Sequence, residues 1–218
     1  MTKRTGRYDT TGLLENTYEP GSRNRVLKNL LGIKRKREMD EAEAGALSRA
    51  LEAVLDLYDR DHRFTSADIC RIHQLWLGGI YEWAGRYRQV DISKGNLRFT
   101  PSRFIGPQME EFEREILRRY TPCTFASQEE VVTALAVVHA ELVRIHPFRE
   151  GNGRVARLLA ILMALQAGLP ILDFSAIRGK RRDEYFAAVR AGWGHDYAPM
   201  ERMFSGVISR TLRISGSG

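Results

Sequence analysis

Apolar residues recur along most of this chain at spacings of three and four, the period of a helix that buries one face. Alanine, leucine and valine keep that spacing from about Asp40 to Tyr58. A second helix is predicted from Thr65, where Thr65 and Asp68 have the spacing of a capping box, to Leu77, with Gly78-Gly79 behind it. Helical periodicity continues over Pro101 to Tyr120, Gln128 to Ile145 and Asn152 to Ala167, and over two segments within Arg181 to Leu212. One stretch breaks the pattern. In "RYRQVDISKGNLRFT", Arg86 to Thr100, Val90 and Ile92 alternate with polar residues, Leu97 and Phe99 do so again, and Lys94-Gly95-Asn96 lies between them. Alternation on both sides of a glycine-containing turn predicts a β-hairpin. The expected fold class is all-α, a single helical bundle with one projecting hairpin. Residues 1–24 are polar, contain Pro20 and Gly21, and read as an irregular, loosely attached lead-in. Residues 25–213 form the domain, and 214–218 a flexible tail.

Composition narrows the classes. With 218 residues and 43% apolar content, the chain can bury one sizeable core. At 28% charged residues and seven prolines it reads as globular, not disordered. The longest apolar stretch, Leu158 to Ala167, is interrupted by Gln166 and too short to span a bilayer. No apolar segment follows the basic N-terminus, so neither a secretory signal nor a membrane role is expected, and the expected location is cytoplasmic. Cys70 and Cys123 fit neither a disulfide framework nor a metal motif and read as reduced thiols. The net charge of +7 raises the question of nucleic acid. Basic residues are spread out except at Lys34 to Arg37 and Arg178 to Arg182, and neither cluster carries interleaved aromatics. Solvated basic faces are therefore expected in place of a direct nucleic-acid groove, with a basic cleft for a polyphosphate left open.

The candidate chemistry lies in "IHPFREGNGRVARLLA", Ile145 to Ala160. Pro147 disfavours helical geometry at His146, so one helix ends there and a loop begins. Gly151 and Gly153 permit backbone conformations that expose successive N–H groups, and the helix restarting near Asn152 presents its own unsatisfied N–H groups and positive dipole end. Together these form an anion site of the kind used for phosphates. Arg154 and Arg157 lie one turn apart on one face, and two cations in a first turn oppose the helix dipole unless an anion pairs with them. Guanidinium groups bind phosphate oxygens bidentately. Glu150 suits Mg²⁺ carried by a nucleotide, His146 is the group here able to take a proton near neutral pH, and Phe148 anchors the loop in the core.

"HPFREGNGRVAR", His146 to Arg157, resembles the full signature of the Fic family, His-x-Phe-x-Asp/Glu-Gly-Asn-Gly-Arg-x-x-Arg. "YEWAGRYRQVDISKGNLRFTPSRFI", Tyr81 to Ile105, is similar to that family's Trp-Ala-Gly segment and hairpin flap, and "RVLKNLLGI", Arg25 to Ile33, to its lead-in. The likeness spans about residues 20 to 212. It implies an all-helical Fic domain over 25–213 that transfers AMP from ATP to a Ser, Thr or Tyr hydroxyl of a target protein. On matching positions, His146 would be the general base and Glu150 the Mg²⁺ ligand. Gly151, Asn152 and Gly153 would form the anion hole, with Asn152 also touching the phosphates, and Arg154 and Arg157 would hold the distal phosphates. The flap, Ser93, Lys94, Gly95, Asn96, Leu97, Arg98 and Phe99, would clamp the target backbone by strand addition.

The resemblance leaves rival readings. The Doc branch phosphorylates, with Lys where this chain has Gly153, so Gly153 favours nucleotidyl transfer. Transfer of UMP or phosphocholine, removal of AMP, and a non-catalytic nucleotide-binding regulator are further rivals. Many relatives carry an inhibitory helix, Ser/Thr-x-x-x-Glu followed by Gly or Asn, whose glutamate blocks the second motif arginine, here Arg157. The nearest match is "SRALEA", Ser48 to Ala53, with Glu52 as the acid, but Ala53 departs from the pattern and the helix has ordinary core periodicity. The expectation is a toxin-like protein, cytoplasmic or delivered into a target cell, whose inhibitory glutamate comes from a separate antitoxin.

Overall fold

The computed structural model of this chain describes residues 13–94 and 97–216. Its first long helix, α1 (Lys36–Leu57), turns Met39, Glu43, Ala46, Ala50 and Val54 inward, an apolar stripe that carries one acid. Helix α2 (Ser66–Leu77) begins at the expected capping box, Thr65 accepting from the Asp68 N–H and Asp68 from the Thr65 N–H. It packs Ile69, Ile72, His73, Trp76 and Leu77 into the core beside α1.

The hairpin follows, with strands β1 (Ser93–Lys94) and β2 (Leu97–Arg98) pairing Ser93 with Arg98 and Lys94 with Leu97. Its turn residues Gly95 and Asn96 lie outside the described residues. The ladder is shorter than the alternation predicts. One bond from the Phe99 N–H to the Ile92 carbonyl extends it, and in this register Val90 would next face Pro101, which has no N–H to give. The Val90 and Thr100 carbonyls accept from the Arg88 guanidinium, so a side chain bridges the two arms at their root.

A turn of 3-10 helix leads into α3 (Ile105–Glu111), which runs through a π-helical segment, Phe112–Leu117, to α4 (Arg118–Tyr120). Helix α5 (Gln128–Ile145) starts at a second capping box, Ser127 with Glu130, and is the axis of the bundle. Thirteen of its 18 residues are buried, so it has almost no solvent face, as a helix surrounded by others requires. It packs on α6 (Asn152–Gln166) and α8 (Ala198–Ser215), and α7 (Lys180–Ala191) joins α8 beside them. Each fully buried aliphatic or aromatic side chain in this core contributes about 1.5–3 kcal/mol.

Of the lead-in, residues 1–12 lie outside the described residues; over 13–24 it holds one turn, Leu14–Asn16, and a bridge from Tyr18 to Leu27, and it is tied to the domain. The buried Glu15 carboxylate accepts from the Gln89 N–H at 2.6 Å, and its carbonyl accepts from Arg149 Nε at 3.0 Å. The basic cluster at Lys34 to Arg37 is a solvated face: Arg35 pairs with Glu38, Lys36 with Asp40 and Arg37 with Glu41. Both cysteines are free. Among the described residues no helix is long and apolar enough to cross a membrane.

Candidate active site

The sequence motif occupies the turn between α5 and α6, and each of its parts is held from behind by a buried group. Helix α5 stops at Ile145, and His146 takes the left-handed conformation, φ 54° and ψ 58°. That conformation costs a non-glycine residue about 1–2 kcal/mol, so the neighbouring contacts must enforce it. The His146 N–H donates to Leu142, its Nδ1 lies 2.9 Å from the Val143 carbonyl, and its ring stacks on Phe99 of the flap at 3.6 Å. A carbonyl only accepts, so Nδ1 carries the proton and Nε2 is the basic nitrogen of the neutral ring. Behind it, Arg88, 1% exposed, donates from Nε to the His146 carbonyl at 2.8 Å and from its backbone N–H to the Pro147 carbonyl at 2.9 Å. Burial pulls the Arg88 guanidinium down to about 10.

His73 holds the next residues. It stacks on Phe148 at 3.9 Å, accepts from the Gly85 N–H at Nδ1, and lies 3.1 Å from the Glu150 carbonyl at Nε2. Since Nδ1 accepts, Nε2 carries the hydrogen and donates to Glu150. Burial keeps this ring neutral, its pKa pulled down to about 4. Asn152 staples the loop: its Oδ1 accepts from the Phe148 N–H and its Nδ2 donates to the Phe148 carbonyl, both at 2.8 Å. Both polar ends of that side chain thus bond the loop, with one Nδ2 hydrogen left over.

Gly151 begins α6 at φ 85°, with no side-chain cap on the helix. A Cβ here would lie 2.5 Å from Cζ3 of Trp76, so both backbone angle and packing demand glycine. The Trp76 indole donates to the Glu43 carbonyl at 2.9 Å and stacks under Arg154, whose guanidinium is 4.4 Å from the ring centre. Arg154 Nη1 pairs at 2.8 Å with the carboxylate of Glu43, which is 2% exposed and also accepts from the Tyr81 hydroxyl at 2.8 Å. Arg157 is backed differently, by Tyr185 and Phe174.

These groups open on one cleft of about 680 Å³. His146, Glu150, Gly151, Asn152, Gly153, Arg154 and Arg157 line it, with Ser93, Leu97 and Phe99 of the flap on one side and Arg178 and Arg182 on the other. The motif candidates and three of the flap candidates thus line one cleft, Arg98 does not line it, and Gly95 and Asn96 lie outside the described residues; the second basic cluster contributes two arginines to the lining. Among the described residues no group of three or more His, Cys, Asp or Glu could hold a resident metal. Glu150, its side chain 47% exposed, is the acid lining the cleft, with its Oε1 accepting from the Gly151 N–H. A single carboxylate suits Mg²⁺ that arrives with phosphate oxygens and keeps its waters.

Glu52 is exposed on α1 and does not line the cleft. The same helix instead sends Glu43 to the motif, and to Arg154, not Arg157. Sequence reading passed over Glu43, His73, Arg88, His139 and Tyr185. For Glu43 a signal existed: an acid in register with Met39, Ala46, Ala50 and Val54 sits on the buried face and needs a partner there.

Residues 63–164 match the family model described as Fic/DOC. The chain is 32% identical over 176 residues to a Sinorhizobium fredii protein named probable protein adenylyltransferase y4lH, covering 80% of this chain and 87% of that one. It is 31% identical over 196 residues to the protein adenylyltransferase VbhT of Bartonella schoenbuchensis, covering 86% of this chain and 37% of VbhT. The chain thus spans little more than a third of the length of that relative. Among solved structures, the N-terminal Fic domain of a cell filamentation protein from Bartonella quintana, with bound ADP, superposes with a TM-score of 0.71 at 25% identity, covering 83% of this chain and 89% of that one. By motif, helical frame and relatives alike, this chain belongs to the Fic/DOC family.

Proposed function

We propose that this protein is an adenylyltransferase that moves AMP from ATP to a Ser, Thr or Tyr hydroxyl of a target protein. One observation carries the reading: His146, the Glu150 carboxylate, the uncapped N-terminus of α6 and Arg157 all face the same cleft. A base, a metal carboxylate and a phosphate cradle are what nucleotidyl transfer needs in one place. The adenylyltransferase names of the relatives and the ADP in a similar Fic domain support it.

In this reading the α6 N–H groups and Arg157 bind the triphosphate, helped by the cationic rim of Arg178 and Arg182. Glu150 would hold Mg²⁺, which when bound offsets phosphate charge. His146 Nε2 takes the proton of the target hydroxyl as its oxygen bonds to the α-phosphorus. The bond from that phosphorus to the bridging oxygen breaks, and pyrophosphate leaves with the electron pair. The flap residues Ser93 to Phe99 align the target segment by backbone pairing, and the contact between Phe99 and His146 links that alignment to the base. The domain that does this spans 25–213. Gly153, where a lysine would accompany phosphorylation, favours AMP transfer. Inhibition is assigned to a separate small antitoxin whose glutamate would engage Arg157, since Glu52 stands off the cleft.

The test uses lysate with ATP labelled at the α- or the γ-phosphate. Protein should take up the α-label and not the γ-label, and His146→Ala should lower incorporation by about 10²–10⁴-fold while retaining ATP binding. Uptake of γ-label instead, or full activity in His146→Ala, would overturn the proposal.

A further inference from the structure

Behind Arg157 lies a buried pair that the transfer chemistry does not use. His139 on α5 is 2% exposed and Tyr185 on α7 is 6% exposed, with Nε2 and the hydroxyl 2.9 Å apart. The Arg157 guanidinium lies 5.3 Å from the Tyr185 ring centre, and its charge acts on the Tyr185 hydroxyl. Donor chemistry sets the direction. A guanidinium repels a hydroxyl proton and can only donate, so the Tyr185 oxygen presents its lone pairs toward Arg157 and gives its own proton to His139 Nε2. His139 must then be neutral, with its hydrogen on Nδ1, a buried atom that meets no hydrogen-bond partner among the described residues. Burial, reinforced by the nearby Arg157 charge, pulls its pKa down to about 3.

The two motif arginines are therefore held by opposite means. Glu43 fixes Arg154 with a buried carboxylate, which offsets its charge. Tyr185 and Phe174 fix Arg157 with neutral groups. Neutral partners restrain a long side chain without using its charge, and the Arg157 Nε–H has no acceptor among the described residues.

We propose that Tyr185 and His139 are positioning residues that hold the Arg157 guanidinium ready for the terminal phosphates of ATP while leaving its charge to the ligand. The inference rests on the nucleotide reading above, and it makes Arg157, not Arg154, the main charge that distinguishes ATP from AMP.

Tyr185→Phe keeps the ring against Arg157 and removes the hydroxyl, both the oxygen turned to Arg157 and the donor to His139. Calorimetric titration with Mg-ATP and with AMP is run on wild type, Tyr185→Phe, Arg157→Ala and the double variant, with thermal melts as a check on folding. Tyr185→Phe should weaken ATP about tenfold with AMP changed less than about twofold, and should add nothing in the Arg157→Ala background. His139→Leu, which withdraws the acceptor from Tyr185, should show the same ATP-selective loss, and His139→Gln, which restores an acceptor, should recover part of it. Equal losses for ATP and AMP, or additive losses in the double variant, overturn the proposal. If Arg157→Ala weakens ATP but Tyr185→Phe does not, the positioning role alone fails. If Arg157→Ala binds ATP like wild type, the phosphate reading itself fails.

Discussion

The Arg88 guanidinium donates to the His146 carbonyl at 2.8 Å, and the same buried cation holds the carbonyls of Val90 and Thr100 in the arms of the hairpin. The candidate base and the root of the flap thus share one side chain. His146 sits in a left-handed conformation that its own sequence does not favour, and Arg88 is part of what keeps it there.

Arg88→Met should therefore do more than remove a charge. It leaves three carbonyls without their donor, and each unsatisfied buried group costs about 1–3 kcal/mol. Urea unfolding should show a loss of about 3 kcal/mol or more. A loss under about 1 kcal/mol would mean that other donors reach those carbonyls.

Arg154 and Glu43 offer an asymmetric pair of substitutions. Arg154→Ala strands a carboxylate that is 2% exposed, a situation that costs about 3–5 kcal/mol, with the low end expected because the Arg154 side chain is itself 32% exposed. Glu43→Gln keeps the shape, leaves an acceptor for Tyr81 and releases Arg154 toward the cleft. Arg154→Ala should be clearly the less stable of the two, and Glu43→Gln should bind ATP at least as well as wild type. The reverse order of stability would show that the ion pair is not what holds α6 to α1.

Two buried histidines make stability depend on pH. Their folded values lie at about 4 for His73 and about 3 for His139, below the ordinary value of 6.5. Below about pH 6.5 the unfolded chain takes up protons that the folded chain refuses, so the stability these rings supply is complete above that value and lost on acidification. The slope reaches about 1.4 kcal/mol per pH unit for each ring. Between pH 6.5 and 5 the exposed carboxylates are still ionised, so a decline in Tm in that window reports the histidines. A flat Tm from pH 7 to 5 would contradict their neutral burial.

Local rules made much of the fold legible. The capping box at Thr65, the end of α5 before Pro147 and the new helix at Asn152 each depend on a few adjacent residues, and each stands where the sequence puts it. The motif residues from His146 to Arg157 are close in sequence, so their shared cleft follows from one turn. The supports are different. Glu43, Arg88, His139 and Tyr185 come from four separate segments, and what makes them matter is a partner 46 to 111 residues away. Arg88 also bridges the hairpin arms through the carbonyls of Val90 and Thr100, which alternation alone could not reveal.

The two motif glycines separate what the fold needs from what a ligand needs. At Gly151 the backbone angle is φ 85° and a Cβ would lie 2.5 Å from the Trp76 ring, so Gly151→Ala should cost about 2–5 kcal/mol through strain and overpacking. Gly153 has neither constraint. It lies inside the first turn of α6, and a Cβ there would meet only the Tyr185 hydroxyl at 3.9 Å, an ordinary contact. In a helix alanine is favoured over glycine by about 0.5–1 kcal/mol, so Gly153→Ala should be as stable as wild type or slightly more so. A glycine that the fold would replace at no cost must answer to something outside the fold. Its bare N–H and open space face the cleft where the phosphates are assigned, and a methyl there keeps a phosphate oxygen from the α6 terminus. Gly153→Ala should therefore melt no lower than wild type while binding Mg-ATP at least about tenfold more weakly. Unchanged ATP binding in that variant would move the phosphates away from the α6 N-terminus.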